Sequence, residues 1–286
     1  MNDTVQEEEG APAVAGALTP ASFKSATKPI WCPGCGDFTV LSSVARALAI
    51  MGIAPKDVAV VSGIGCSSRI PAYTTCYGFH GVHGRSLAVA TGLKVARPDL
   101  QVLVASGDGD GYSIGGNHFL HACRRNVDMT YLVMDNHVYG MTKGQPSPTT
   151  EPDWDSKLSP GGTGLRVFHP LVVALASGAN FVARAFAGDQ HGTAAVIAQA
   201  MKHPGFSFVE ILSPCVTFRP EQREWRNLVR PAVVEPTDDA ARAARRLMTD
   251  DGLNLGVLFA GTRAPYPASV RTVRSSVADL ESEFAL

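Results

Sequence analysis

The chain has 286 residues, of which 45% are hydrophobic and 18% charged, with 28 glycines, 19 prolines and a formal net charge of −1. This is too long for a disulfide-stapled miniprotein and enough for one large domain with its own core. The near-neutral balance offers no basic face to nucleic acid, and the low charged fraction suits a subunit whose faces are covered by partners.

Residues 1–28, "MNDTVQEEEGAPAVAGALTPASFKSATK", are rich in Ala, Gly, Pro and Glu and read as a flexible arm. They lack the basic start and continuous apolar run of an export signal. A cytoplasmic location is therefore expected, with the six cysteines held as reduced thiols or metal ligands.

"WCPGCGDF", Trp31 to Phe38, brings the first two, Cys32 and Cys35. Cys-x-x-Cys serves redox dithiols, zinc knuckles and iron–sulfur clusters. A dithiol calls for a thioredoxin-like βαβ context before it, whereas here an arm precedes the pair. Zinc calls for a second close pair, and Cys66 and Cys76 are too widely spaced. A cluster needs four thiolates, which strand ends can gather from distant parts of the chain.

Apolar residues at helical spacing predict a helix from Phe38 to Met51, with Asp37 as N-cap and Gly52 as stop. "VAVVSGIG" predicts a buried strand opening into a loop that carries Cys66. A helix from Gly84 to Arg97, stopped by Pro98, leads to a second strand in "QVLVASGDGDG". A helix in "YSIGGNHFLHACRRN" and a third strand in "MTYLVMDNHVYG" follow. Then come a helix in "PLVVALASGA", a strand in "FVARAF", a helix in "DQHGTAAVIAQAMKH" and a last strand in "FSFVEIL". The alternation predicts an α/β fold, a mostly parallel sheet covered by helices on both faces, with ligands at the carboxyl ends of its strands. The most apolar window, "HPLVVALASGANFVARAFAG", is interrupted by Asn180 and Arg184 and falls short of a membrane span. After Cys215 the pattern breaks. Residues 29–215 thus form the expected domain, and residues 216–286 a carboxyl-terminal arm with a short helix over Asp238–Asp250.

"GDGDGYSIGGN", Gly107 to Asn117, joins a strand to a helix, where backbone N–H groups and the helix dipole favour a phosphate. It departs from the dinucleotide fingerprint because Ile114 stands where the third glycine belongs, although Asp135 could still grip a ribose. Asp108 and Asn136 lie one helix and one strand apart, both at carboxyl ends of strands. The Asp108 carboxylate, the Asn136 amide oxygen and the Val138 carbonyl could supply three hard oxygens to magnesium, a diphosphate and water supplying the rest. Singly, each could equally be a cap or turn residue.

"GDGD" followed by "DNHVYGMTKGQ", together with "WCPGCGDF", "GIGCSSR", "HGVHGRSLAVATGLKVA" and "EILSPC" in this order, resembles the β subunit of the 2-oxoacid:ferredoxin oxidoreductases. The resemblance implies a thiamine-diphosphate-binding fold. It implies a cofactor pocket drawn from Cys66, Ser67, Ser68 and His83, from Gly107, Asp108, Gly109 and Asp110, and from Asn136, Val138, Gly140, Met141 and Thr142, with Asp108, Asn136 and Val138 on Mg2+. It also assigns Cys32, Cys35, Cys66 and Cys215 to a 4Fe–4S cluster, which would accept electrons released by decarboxylation beside it. Cys123 reads as a core thiol, and Cys76 as the substitute if Cys66 is not a ligand. Lys143 and His83 are the expected catalytic residues; Lys143, where pyruvate-specific relatives carry glycine, would pair with the distal carboxylate of 2-oxoglutarate. His80, His83 and Arg85 face substrate or diphosphate, or cap the next helix.

The implied activity is conversion of 2-oxoglutarate and coenzyme A to succinyl-CoA and CO2 with electrons to ferredoxin, or the reverse carboxylation. An α subunit would supply the activating glutamate and much of the coenzyme A site in an α2β2 assembly. The competing readings are a pyruvate or broad 2-oxoacid enzyme, a non-redox thiamine decarboxylase, and a zinc-stabilised assembly or binding subunit.

Overall fold

The computed structural model describes residues 18–231, 236–266 and 281–282. The expected amino-terminal arm lies outside the described residues as far as residue 17. From residue 18 the chain is anchored, since Phe23 is fully buried.

The strands are β1 (Val58–Ser62), β2 (Tyr77–His80), β3 (Gln101–Gly107), β4 (Met129–Asp135), β5 (Phe181–Phe186), β6 (Phe206–Leu212), β7 (Arg230–Pro231) and β8 (Asn254–Ala260). The helices are α1 (Asp37–Met51), α2 (Ser86–Ala96), α3 (Gly116–Arg125), α4 (Pro170–Ala176), α5 (Gln190–Lys202), α6 (Trp225–Leu228) and α7 (Ala240–Leu247). The strands form one sheet in the order β2-β1-β3-β4-β6-β5-β8-β7, parallel throughout except where β8 runs antiparallel to β5.

Strand alternation divides the core in two. On one face Leu103, Ala105, Leu132, Met134 and Ile211 pack with Val40, Val44 and Leu48 of α1 and Ile197 of α5. On the other, Val102, Val104, Tyr131, Val133 and Phe208 pack with Phe119 of α3 and Leu171 of α4. Each fully buried large side chain is worth about 1.5–3 kcal/mol relative to exposure, so the two apolar sets fix which face each strand presents.

The register brings the site together. Gly107 pairs with Met134, and Asp135 with Leu212, so β3, β4 and β6 finish side by side. Asp108, Asn136 and the 213–215 segment therefore emerge at one edge.

Several expectations are corrected. "FSFVEIL" is not the last strand, because β8 extends the sheet beyond β5 from within the expected arm. That region is tied down by Arg184 of β5, which pairs with its cross-strand neighbour Glu210 at 2.5 Å, both buried, and with the half-buried Asp250 after α7. The helix expected from Tyr112 is preceded by a π-type turn over Gly109–Ile114, and α3 begins at Gly116. Asp37 does not cap α1: Gly36 is the N-cap, and Asp37 is the first helical residue. Among the described residues no helix is long and apolar enough to cross a membrane.

Candidate functional site

A cavity of about 230 Å³ opens where β1, β3 and β4 end. Its lining includes Cys66, Ser67, His83, the Gly107–Asp110 run, Asn136, Val138 and the Gly140–Thr142 run, gathering every expected cofactor residue but Ser68. Ser68 is fully buried beneath it, its carbonyl accepting the Ser62 hydroxyl at 2.6 Å. Ile64, Gly65 and Tyr139 also line the cavity and carry no chemical signal in the sequence.

The glycines of the loop permit close approach. A Cβ on Gly109 would lie 2.1 Å from the Tyr139 ring, and one on Gly111 would lie 2.1 Å from the Tyr131 hydroxyl. The loop can therefore fold tightly over the strand ends only without side chains there. Tyr139 donates to the Gly109 carbonyl at 3.0 Å and fixes the facing loop.

Three carboxylates sit behind this backbone. Asp110 accepts from Ile64 N–H (3.0 Å), Gly84 N–H (2.7 Å) and His83 Nδ1 (2.7 Å), so it ties the β1 loop and the entry to α2 to the glycine loop. Asp108 and Asp135, both buried, share the Thr149 hydroxyl at 3.1 and 2.7 Å. Burial raises the pKa of both, the Asp108 charge adding to the shift at Asp135. Asp110 Oδ2 and Asp135 Oδ2 have no hydrogen-bond partner among the described residues. A divalent cation, its remaining ligands drawn from neutral oxygens and a bound anion, would offset the cost of ionising a carboxylate buried here.

The following loop is clamped. His137 takes φ 55°, bonds Glu151 through Nδ1 at 3.0 Å, and has its carbonyl bonded by Arg219 at 3.1 Å. Burial works against the Glu151 carboxylate, but the His137 hydrogen bond and charge, with Arg219, hold its pKa down at about 2. Lys143 also has a positive φ, 87°, is exposed, and does not line the cavity. His80 is turned to Ser62 Oγ (3.0 Å), and Arg85 to His118 on α3 (2.8 Å), so of the trio expected near substrate only His83 reaches the cavity.

Beside the cavity lie the cysteines. Trp31 donates to the Cys66 carbonyl at 2.7 Å and packs edge-on against Phe38 and Tyr73, pinning the CPGC turn. Gly36 N–H donates to the Pro214 carbonyl at 3.2 Å, joining that turn to Cys215. Gly140 of the cavity wall lies beside two of the thiols: a Cβ there would lie 3.7 Å from Cys215 Sγ and 3.9 Å from Cys66 Sγ, and Cys66 itself lines the cavity.

Burial pushes the Cys66 thiol up to about 11 and raises Cys35 and Cys215 as well. Mutual repulsion reinforces this: Cys35 feels Cys66 and Cys215, and the latter two both feel Cys32. Asp37 lies inside the same neighbourhood, buried, accepting the Ser213 hydroxyl at 2.8 Å, its own pKa raised to about 6 by burial. Four thiols with mutually unfavourable charges fit a cationic group that stabilises thiolates. Among the described residues no group of three or more His, Cys, Asp or Glu side chains is placed to hold a single metal ion. Cys76 and Cys123 pack into the two apolar cores instead.

Gln222 went unnoticed in the sequence. Buried, it accepts from Cys215 N–H at 2.9 Å and donates to the Asn136 carbonyl at 2.7 Å, bridging the cysteine loop and the cavity loop from within the expected arm.

Residues 63–211 match the family model described as "Thiamine pyrophosphate enzyme, C-terminal TPP binding domain". The 2-oxoglutarate oxidoreductase subunit KorB of Mycobacterium tuberculosis is 43% identical over 76% of this chain and 58% of its own length. The 2-oxoglutarate synthase subunit KorB of Archaeoglobus fulgidus is 48% identical over 66% of this chain and 70% of its own length. The chain thus spans little more than half of the Mycobacterium relative. Among solved structures, a 2-oxoglutarate:ferredoxin oxidoreductase from Magnetococcus marinus, with 2-oxoglutarate, coenzyme A and succinyl-CoA bound, is similar at a TM-score of 0.85. It is 42% identical, and the match covers 94% of this chain and 91% of that one.

Proposed function

The chain belongs to the β subunits of the 2-oxoacid:ferredoxin oxidoreductases, and from that membership we propose that it carries the thiamine and electron-transfer half of a 2-oxoglutarate:ferredoxin oxidoreductase. The reaction converts 2-oxoglutarate, coenzyme A and two oxidised ferredoxins to succinyl-CoA, CO2, two reduced ferredoxins and one proton, or runs in reverse. The observation that carries this reading is that Cys66 and Gly140 both line the cavity and that a Cβ on Gly140 would lie within 4 Å of the Cys66 and Cys215 thiols, so the two chemistries are neighbours.

Thiamine diphosphate supplies carbon–carbon bond cleavage beside the 2-oxoacid carbonyl, and an iron–sulfur cluster supplies one-electron transfer. The protein's part is to hold and orient. Asp108, Asn136 and the Val138 carbonyl would hold magnesium, with Thr149 aligning Asp108 from behind. Backbone N–H groups of the glycine loop would bind the diphosphate. His83, anchored by Asp110, stands at the cavity wall to orient substrate. Cys32, Cys35, Cys66 and Cys215 would hold the 4Fe–4S cluster.

Lys143 would select 2-oxoglutarate through its second carboxylate. Its left-handed backbone disfavours any side chain by roughly 1–2 kcal/mol relative to glycine, so the position carries a lysine against its own conformational preference. An α subunit would supply the activating glutamate and most of the coenzyme A site, in an α2β2 assembly. The thiols suit the reducing cytoplasm.

The test is anaerobic turnover of the assembled enzyme with methyl viologen as acceptor. Succinyl-CoA formed in step with dye reduction, and faster than acetyl-CoA from pyruvate, is the expected result. CO2 release without dye reduction would favour the non-redox decarboxylase; a faster reaction with pyruvate would reassign the substrate.

A further inference from the structure

A second groove, of about 400 Å³, borders the cysteines on the side away from the cofactor cavity and shares no lining residue with it. Its floor is apolar, formed by Cys35, Phe38, Phe186, Pro214 and Val216. Among the described residues, the charged ones on its lining are Arg223 and Arg226. Both are exposed, and neither has a carboxylate within ion-pair distance among the described residues. The nearby acids are engaged away from the groove: Glu221 pairs with Arg219 at 2.6 Å, and Glu224 accepts from Asn227 at 2.8 Å.

The turn that presents these arginines, Pro220–Glu224 running into α6, has Gln222 on its inner side, bonded to Cys215 N–H and to the Asn136 carbonyl. Whatever seats on Arg223 and Arg226 is therefore held beside Cys215 and Cys35. Cys32 is itself exposed in the adjoining turn. An apolar floor flanked by unpaired cations is complementary to a protein with an acidic rim around an apolar centre. Charges at such a rim act mainly on encounter rate and salt dependence.

We propose that this groove is the docking surface for an acidic one-electron carrier protein, seated by Arg223 and Arg226. The inference rests on the proposed function and specifies where electrons leave. A carrier seated here would have its redox centre beside Cys35 and Cys215, where a cluster held by those thiolates would supply one electron per encounter, so that two encounters match the two electrons of one 2-oxoacid oxidation; no covalent bond forms. Coenzyme A, whose phosphates could also meet arginines, is disfavoured because its thiol must reach the other cavity.

The experiment uses the assembled enzyme and, as probe, an acidic bacterial ferredoxin carrying two 4Fe–4S clusters. In Arg223→Glu/Arg226→Glu the KM for ferredoxin should rise roughly ten-fold or more, and the Kd from calorimetric titration should weaken in parallel. The kcat with methyl viologen and the KM for coenzyme A should stay within about two-fold, since rim charges act on partner encounter. Arg223→Gln and Arg226→Gln remove the charge while leaving a polar side chain and should each flatten the salt dependence of kcat/KM for ferredoxin, which covers the case in which the double reversal fails to assemble. Unchanged ferredoxin affinity and salt slope would overturn the proposal, as would a rise in the coenzyme A KM instead. Absence of viologen reduction by the wild-type enzyme would instead count against the proposed function, and the titration, which needs no turnover, would still report on the surface.

Discussion

The cofactor cavity and the cysteine face meet at Gly140 but are built in opposite ways. The cavity comes from contiguous motifs at the ends of adjacent parallel strands, and its polar groups are aligned from behind by the protein: Thr149 on Asp108, three donors on Asp110, Tyr139 on Gly109. The cysteine face is drawn from the CPGC turn, the β1 loop and the segment after β6, and the Cys35, Cys66 and Cys215 thiols are raised by burial and by neighbouring charges. The first region is held in place by its own hydrogen bonds, with single oxygens of Asp110 and Asp135 left unpartnered among the described residues; the second would gain favourable electrostatics from a cationic group bound by its thiols.

The sharpest way to break that comparison is to remove a thiolate. Cys32→Ser, Cys35→Ser, Cys66→Ser or Cys215→Ser should each abolish cluster retention, read as iron and sulfide content, and Cys123→Ser should not, because thiolate rather than hydroxyl suits iron–sulfur ligation. Cys215→Ser, whose side chain does not line the cavity, should leave thiamine binding within a few-fold. Full cluster occupancy in Cys215→Ser would remove Cys215 from the ligand set.

Asp108→Ala reverses the test. Thiamine diphosphate affinity should fall by roughly a hundred-fold or more while iron content is retained, since a charged ligand is lost opposite an anionic diphosphate. Asn136→Ala should cost less, having removed one neutral oxygen. Unchanged thiamine affinity in Asp108→Ala would sink the magnesium assignment.

Lys143→Ala addresses substrate choice from the exposed loop that follows the cavity-lining Thr142. Loss of a charge-assisted bond of about 1.5–3 kcal/mol should shift the 2-oxoglutarate to pyruvate ratio of kcat/KM by roughly ten-fold to a hundred-fold. Equal slowing of both substrates would make the lysine a loop residue.

Gln222→Ala is the mildest change and probes the bridge between the regions. It leaves the Cys215 N–H and the Asn136 carbonyl without their partner, at a cost of about 1–3 kcal/mol. Thiamine affinity and cluster stability toward chelators should weaken together, roughly several-fold each. A loss confined to one of the two would show that the bridge couples nothing.

Much of this arrangement was legible in the chain. The parallel strands announced themselves as short apolar runs ending in glycine or Asp-Asn, and that pattern alone put Asp108 and Asn136 at one edge. The β2 strand was hidden because its four residues, Tyr77–His80, are all exposed at the sheet edge and show no inward–outward alternation. Asp37 has the composition of a surface N-cap, yet the bond from Gly36 to Pro214 draws the helix start inward and buries its carboxylate. Arg219 and Gln222 sit in a polar, irregular stretch with no period to read. Their roles depend on the chain returning across the site after β6, which only tertiary contacts reveal.

The account stands or falls on whether one chain holds both groups at once. Anaerobically prepared enzyme should contain roughly four iron, four sulfide and one thiamine diphosphate per copy of this chain, with zinc near background. Thiamine without iron, or zinc in place of iron, would contradict it.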